Sequence, residues 1–195
     1  MLRLNPRDYI AYSNRGLVSF EAGDLEAALA DQNAALRLNP GYAFAYNNRG
    51  IVRQALGDIP GAFSDYDAAV SFRARYAEAY TNRGTLREAT GDMDRALEDY
   101  TAAIGFNPGI AKAYYGRGNA RAARGDVAGA IADYGEAIRV DPTYVEAYNN
   151  RALTRHRQGD VAGAVTDFER ALAIAPPDSP KRATIEANLS NTRRR

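Results

Sequence analysis

The 195-residue chain has no cysteine, no tryptophan and a single histidine, His156. Without cysteine there is no disulfide, no thiolate metal site and no thiol nucleophile. One histidine leaves no histidine-rich metal site and no Ser–His–Asp triad worth naming, and His156 reads better as a surface or wall residue than as a base. An excess of one charge sign is missing too: 25 Lys and Arg stand against 24 Asp and Glu, a formal net charge of +1. That balance provides no general footprint for nucleic acid or an anionic membrane surface. No apolar run approaches the roughly 18 residues a membrane span requires. The first 15 residues lack the basic-then-apolar layout of a secretory signal. The expectation is a soluble, cytoplasmic, non-enzymatic chain with no cofactor, no metal, no nucleic-acid partner and no membrane insertion.

What is present is a beat of 34 residues. Tyr12, Tyr46, Tyr80, Tyr114 and Tyr148 each begin a near-copy of Tyr-Xaa-Asn-Arg-Gly. Gly-Asp follows at Gly23-Asp24, Gly57-Asp58, Gly91-Asp92, Gly125-Asp126 and Gly159-Asp160. Small residues recur at Ala28, Ala62, Ala96, Ala130 and Ala164, and proline at Pro6, Pro40, Pro108, Pro142 and Pro176, with Ala74 filling the gap. A fixed period of this length signals stacked repeats, each burying its apolar side only against its neighbours.

Each repeat divides at Gly-Asp into two segments with helical spacing, seen in the first copy as Tyr9 to Ala22 and Leu25 to Leu38. Tyr12, Gly16, Ser19 and Gly23 share one face, as do Ala28, Gln32 and Ala35. Glycine tolerates the left-handed backbone that ends the first helix, and aspartate caps the second. Proline then disfavours helical geometry in the residue before it. Gly16 and Ala28 allow close helix approach beside the larger Tyr66, Tyr100, Tyr134 and Phe168 columns. Overpacking that contact, as in Ala96→Leu, is expected to cost about 1–3 kcal/mol.

These residues make the chain resemble the tetratricopeptide repeat family, whose 34-residue pattern runs Trp-Xaa2-Leu-Gly-Xaa2-Tyr, then Ala-Xaa3-Phe, then Pro. The resemblance implies an all-α, right-handed superhelical solenoid of antiparallel helix pairs. The expected units are 9–42, 43–76, 77–110, 111–144 and 145–178. Residues 1–8 match the end of a repeat, Leu2-Arg3-Leu4-Asn5-Pro6 echoing Leu36-Arg37-Leu38-Asn39-Pro40, and read as the remnant of a preceding one. Residues 179–195 read as a capping helix, N-capped by Ser179 with Pro180 in its first turn, and a basic tail, Arg193 to Arg195, frayed in solvent.

Three departures stand out. Tyrosine occupies the tryptophan column, Arg15, Arg49, Arg83, Arg117 and Arg151 replace the leucine, and Arg53, Arg87, Arg121 and Arg155 stand where the family favours tyrosine. An arginine facing a packed helix needs a carboxylate or carbonyl partner. Asp31, Asp65, Asp99, Asp133 and Asp167 supply a matching column, so structural Arg–Asp ion pairs are expected within or between repeats.

At 100° per residue, positions offset by one, two, five, eight and nine from Tyr12 point away from the packed face. In tetratricopeptide proteins this side lines a concave, peptide-holding groove. Here it would carry Ser13, Asn47, Thr81, Tyr115 and Asn149 beside Asn14, Asn48, Asn82, Gly116 and Asn150, with Asn119 farther along and Phe44 and Lys112 at the rim. An amide both donates and accepts, so a row of them can grip a peptide backbone whatever its side chains. The ladder is similar to one in the superhelical arm of O-linked GlcNAc transferase. Ile10, Leu17, Phe20, Phe44 and Ile51 make one end apolar, Glu78 and Glu88 the middle acidic, and Lys112, His156 and Arg157 the far end more basic. Chaperone-binding members clamp a C-terminal carboxylate. Asn48, Asn82, Asn150 and Lys112 match parts of that clamp, but Gly116 stands where its arginine belongs, so no such binding is expected. The leading expectation is a protein–protein interaction module gripping an extended segment. The alternatives are a scaffold self-associating through open repeat ends, or the substrate-recruiting arm of a larger enzyme.

Overall fold

The computed structural model describes residues 7–194, so most of the expected remnant at 1–8 lies outside the described residues. The 34-residue period becomes structure at its turn. Gly57 adopts φ +82°, a left-handed conformation where any side chain is strained. There its N–H bonds to the carbonyl of Gln54, and the N–H of Asp58 bonds to that of Arg53. The Asp58 carboxylate then accepts from the N–H of Gly61 at 3.0 Å, satisfying a donor that the new helix leaves orphaned. Asp24, Asp92, Asp126 and Asp160 cap in the same way.

The described residues form eleven helices and fall into two compact units, Met1–Ala89 and Thr90–Arg195. The first unit holds α1 (Tyr9–Glu21), α2 (Leu25–Leu38), α3 (Ala43–Ala55), α4 (Ile59–Phe72) and α5 (Ala77–Ala89). The second holds α6 (Met93–Phe106), α7 (Ala111–Ala123), α8 (Val127–Val140), α9 (Val145–Gln158), α10 (Val161–Ile174) and α11 (Pro180–Arg193). Within each unit every helix packs on the next along the chain, and α1 also touches α3 as α9 touches α11.

Close backbone approach explains the small columns. A methyl at Gly50 would sit 2.7 Å from the Tyr66 ring, and one at Gly118 would sit equally close to Tyr134. Ala28, Ala62, Ala130 and Ala164 are fully buried. At the far end of the second unit Ile185 and Leu189 of α11 join Phe168, Ala164 and Tyr148 in one apolar cluster. Burying such side chains contributes roughly 1.5–3 kcal/mol each for the larger ones, so α11 covers the apolar face of α9 and α10.

Two end features differ from the sequence reading. Ser179 takes the N-cap position of α11, but its side chain makes no capping hydrogen bond; Pro180 supplies no N–H, and the backbone carbonyl of Ser179 accepts from Arg182 instead. Arg193 is not a frayed residue: it is the last of α11 and its guanidinium bonds to Glu169 of α10.

Candidate functional site

The first-helix face is organised by its arginines. Arg49 on α3 makes a two-pronged bond to Asp65 on α4, Nε to Oδ2 at 2.9 Å and Nη2 to Oδ1 at 2.7 Å. One turn further, Arg53 reaches the same carboxylate at 2.8 Å. Asp65 is 1% exposed, so a buried carboxylate is held by two cations. Arg117 and Arg121 hold Asp133 in this way, and Arg151 and Arg155 hold Asp167. Among the described residues Arg15 pairs with one carboxylate, Asp31, which raises its pKa through their hydrogen bond, and it remains 52% exposed. Its second-column companion is Ser19. Arg83 bonds to Asp67 on the preceding helix at 2.6 Å, as Arg49 does to Asn33 at 2.7 Å; Asp99 is buried. These contacts 16 residues back were legible in the spacing but missed.

The asparagines form a ladder, but one that bonds to itself. Asn48 donates to the Ser13 hydroxyl, Asn82 to the Asn47 carbonyl oxygen, and Asn150 to the Tyr115 hydroxyl, each spanning 35 residues between successive first helices. Asn47 and Asn149 donate to their neighbours Asn48 and Asn150. Asn119 accepts from both Asn150 and the Tyr134 hydroxyl, and Asn188 of α11 extends the chain of amides to Asn149.

This arrangement corrects the helical-wheel expectation for the column offset by one. Ser13, Asn47 and Thr81 are 1%, 4% and 2% exposed, and so do not face open solvent. The wheel accounts for the partner helix within a hairpin, whereas in the first unit the next first helix also reaches this column, through Asn48 to Ser13 and Asn82 to Asn47. Asn48, Asn82, Asn149, Asn150, Tyr115 and Asn119 stay half-buried, while Asn14, Lys112 and Phe44 are exposed. Gly116 carries no amide for a physical reason. A Cβ there would lie 2.2 Å from the Tyr100 ring, so neither an asparagine nor a clamp arginine fits.

In the second unit the ladder floors a cleft of about 230 Å³ between α9 and α11, lined by Val145, Glu146, Asn149, Asn150, Lys181, Thr184 and Ile185. An ion pair between Lys181 and Glu146 stands at this cleft. The contribution of α11 was missed from sequence, because its helix falls outside the 34-residue phase. In the first unit an aromatic row runs through Tyr9, Tyr42, Phe44 and Tyr76, with successive ring centroids 4.8, 5.5 and 5.0 Å apart. Burial raises the phenol pKa of Tyr76 to about 12. Among the described residues no group of three His, Asp or Glu could hold a metal ion, and no helix is long and apolar enough to cross a membrane.

Comparison with known families finds matches to models described as TPR repeat over residues 118–159 and as tetratricopeptide repeat over residues 1–43, 77–110 and 145–178. Comparison with curated proteins gives no match. Among solved structures the chain is similar to YrrB, described as a TPR protein with an unusual peptide-binding site (21% identity, TM-score 0.70, 96% of this chain and 94% of that one). It is also similar to pilF of Pseudomonas aeruginosa (17% identity, TM-score 0.87, 97% and 87%). A third similar fold is in the APC/C hetero-tetramer Cut9-Hcn1 (17% identity, TM-score 0.85, 96% of this chain and 37% of that one).

Proposed function

Because the chain belongs to the tetratricopeptide repeat family of protein–protein interaction modules, we propose that it holds an extended partner segment along its first-helix face, with the asparagine ladder gripping the segment's backbone. The observation that carries this reading is the cleft between α9 and α11, whose floor is the Asn149–Asn150 amide pair. A partner segment needs apolar wall and a few fixed polar groups, and Val145 and Ile185 accompany the amides there. The self-bonding of the ladder supports the reading too. Asn48 spends one N–H on Ser13 and one lone pair on Asn47, which sets its orientation and leaves one donor and one acceptor for a ligand. Pre-set amides cost less entropy on binding than mobile ones. YrrB is itself described as carrying a peptide-binding site, but at 21% identity that likeness is one of fold, so the argument rests on the amides.

The test is selection of a random displayed-peptide library against the protein, followed by affinity measurement on a variant with Asn48, Asn82 and Asn150 all changed to alanine. Since these amides also bond between repeats, circular dichroism must first establish that the variant is folded. A peptide consensus whose binding is lost in the folded variant supports the ladder. No selectable peptide, or one indifferent to the three changes, refutes it.

One observation favours a second reading, association through the α1 face. Leu17 and Val18 on α1 are 40% and 64% exposed, beside the half-exposed Arg15. Sedimentation velocity separates the two. Concentration-dependent dimers abolished by Val18→Asp support association, and a monomer at every concentration removes it.

A further inference from the structure

The α4–α5 turn differs from those after α2, α6 and α8, as does the turn after α10, which reads Ala175-Pro176-Pro177. After α2, α6 and α8 the chain reads Asn39-Pro40-Gly41, Asn107-Pro108-Gly109 and Asp141-Pro142-Thr143. In each, the first side chain accepts a hydrogen bond from the backbone N–H two residues on, at 3.1, 2.9 and 2.9 Å. After α4 the chain reads Arg73-Ala74-Arg75, which has no such acceptor. The backbone turn is kept regardless, with Arg73 N–H bonded to Ala69 and Tyr76 N–H to Arg73.

The Arg73 side chain lies on two rings. Its guanidinium carbon is 4.8 Å from the Phe44 ring centroid and 5.1 Å from that of Tyr76. A guanidinium beside aromatic faces keeps its N–H donors, in the fork geometry that matches a carboxylate. The paired arginines of the fold, Arg49, Arg53, Arg117, Arg121, Arg151 and Arg155, all spend such donors on an aspartate. Arg73 makes no ion pair among the described residues. The surface next to it is apolar: Phe44 is 40% exposed, and Ile10, one repeat earlier in the same column, is exposed as well.

We propose that Phe44, Arg73 and Tyr76 form an anchor subsite for a side-chain carboxylate that neighbours an apolar side chain in an extended partner segment. The apolar side chain rests against Phe44 and Ile10, and the carboxylate takes the N–H donors of Arg73. Glu78, two residues past Tyr76, adds like charge that disfavours a long acidic run, so the subsite suits one or two carboxylates. The inference rests on the segment-binding reading above and specifies the chemistry of the segment.

The experiment is the same random displayed library selected in parallel on the wild-type protein and on Arg73→Glu, with a fluorescein-labelled consensus peptide then titrated by anisotropy. Wild-type selection is expected to enrich Asp or Glu next to an aliphatic or aromatic residue. The Arg73→Glu selection is expected to replace that acid with Lys or Arg, and the labelled peptide to bind it about tenfold more weakly, as losing one charge-assisted pair implies. Arg73→Lys, which keeps the charge but not the flat fork, should fall between. A consensus without the acid, or equal affinity for folded Arg73→Glu, overturns this subsite while leaving the segment-binding reading intact. Failure of the wild-type protein to select any peptide overturns both.

Discussion

At the scale of single residues, the aspartates of the second helices carry more than one role. Asp65 is nearly fully buried and accepts from Arg49 and Arg53 together, so removing its charge strands two guanidinium groups. Asp65→Asn keeps the volume, and is expected to cost about 3–5 kcal/mol, as breaking a buried pair does. Asp31→Asn should cost markedly less, because its one arginine, Arg15, is half-exposed and already solvated. Urea unfolding of the two variants compares them directly, and equal losses would contradict the two-cation account. The tyrosines make a second residue-scale expectation. Burial raises the phenol pKa of Tyr76 from 10.0 to about 12 and that of Tyr66 upward as well. The folded state therefore favours the neutral phenols. That contribution is fully present below pH 10 and is lost as pH rises through 12. Stability should fall in that window, and Tyr76→Phe should flatten the fall in an alkaline titration followed by circular dichroism. An unchanged slope would show that Tyr76 ionises as readily folded as unfolded.

At the scale of elements, glycines that look alike in sequence do different things. Gly57 sits at φ +82° with open space around it, so only its backbone matters. Gly57→Ala is expected to lower stability by about 1–2 kcal/mol through left-handed strain alone. Gly105 lies within α6 with ordinary helical φ and nothing near its missing side chain. Gly105→Ala should raise stability by about 0.4–1 kcal/mol by restricting the unfolded chain. Opposite signs in thermal melts would separate turn from helix glycine. Both assignments follow from position in the 34-residue beat, since a Gly-Asp pair marks the turn and Gly105 falls outside it.

At the scale of the whole molecule, repeats bury apolar surface only against neighbours, so an uncovered end is costly. In the second unit α11 covers Phe168 and its surroundings with Ile185 and Leu189, and Asn188 joins the amide chain at Asn149. A chain stopped after Asp178 should therefore melt at lower temperature and associate in sedimentation velocity, while also losing the α9–α11 cleft. A truncated chain that stays monomeric and equally stable would mean that α11 is an ornament on the fold.

Sequence alone determined what the 34-residue unit contains. Turn glycines, aspartate caps and the small columns all lie within one unit, and so do the Arg and Asp columns, although it took the structure to pair Arg49 with Asp65 inside one hairpin. Sequence also placed Asn48 and Asn82 on one face of the first unit, because identical phase means identical orientation. Only the tertiary structure decided what covers that face. Asn47 is buried and its side-chain oxygen accepts from Asn82 of the next first helix, a contact set by how hairpins stack rather than by any helical wheel. Gly116 is empty because the Tyr100 ring fills its space. Arg73 lies on Phe44 and Tyr76 because α3 and the α4–α5 turn meet across 29 residues of chain, a distance no local pattern encodes.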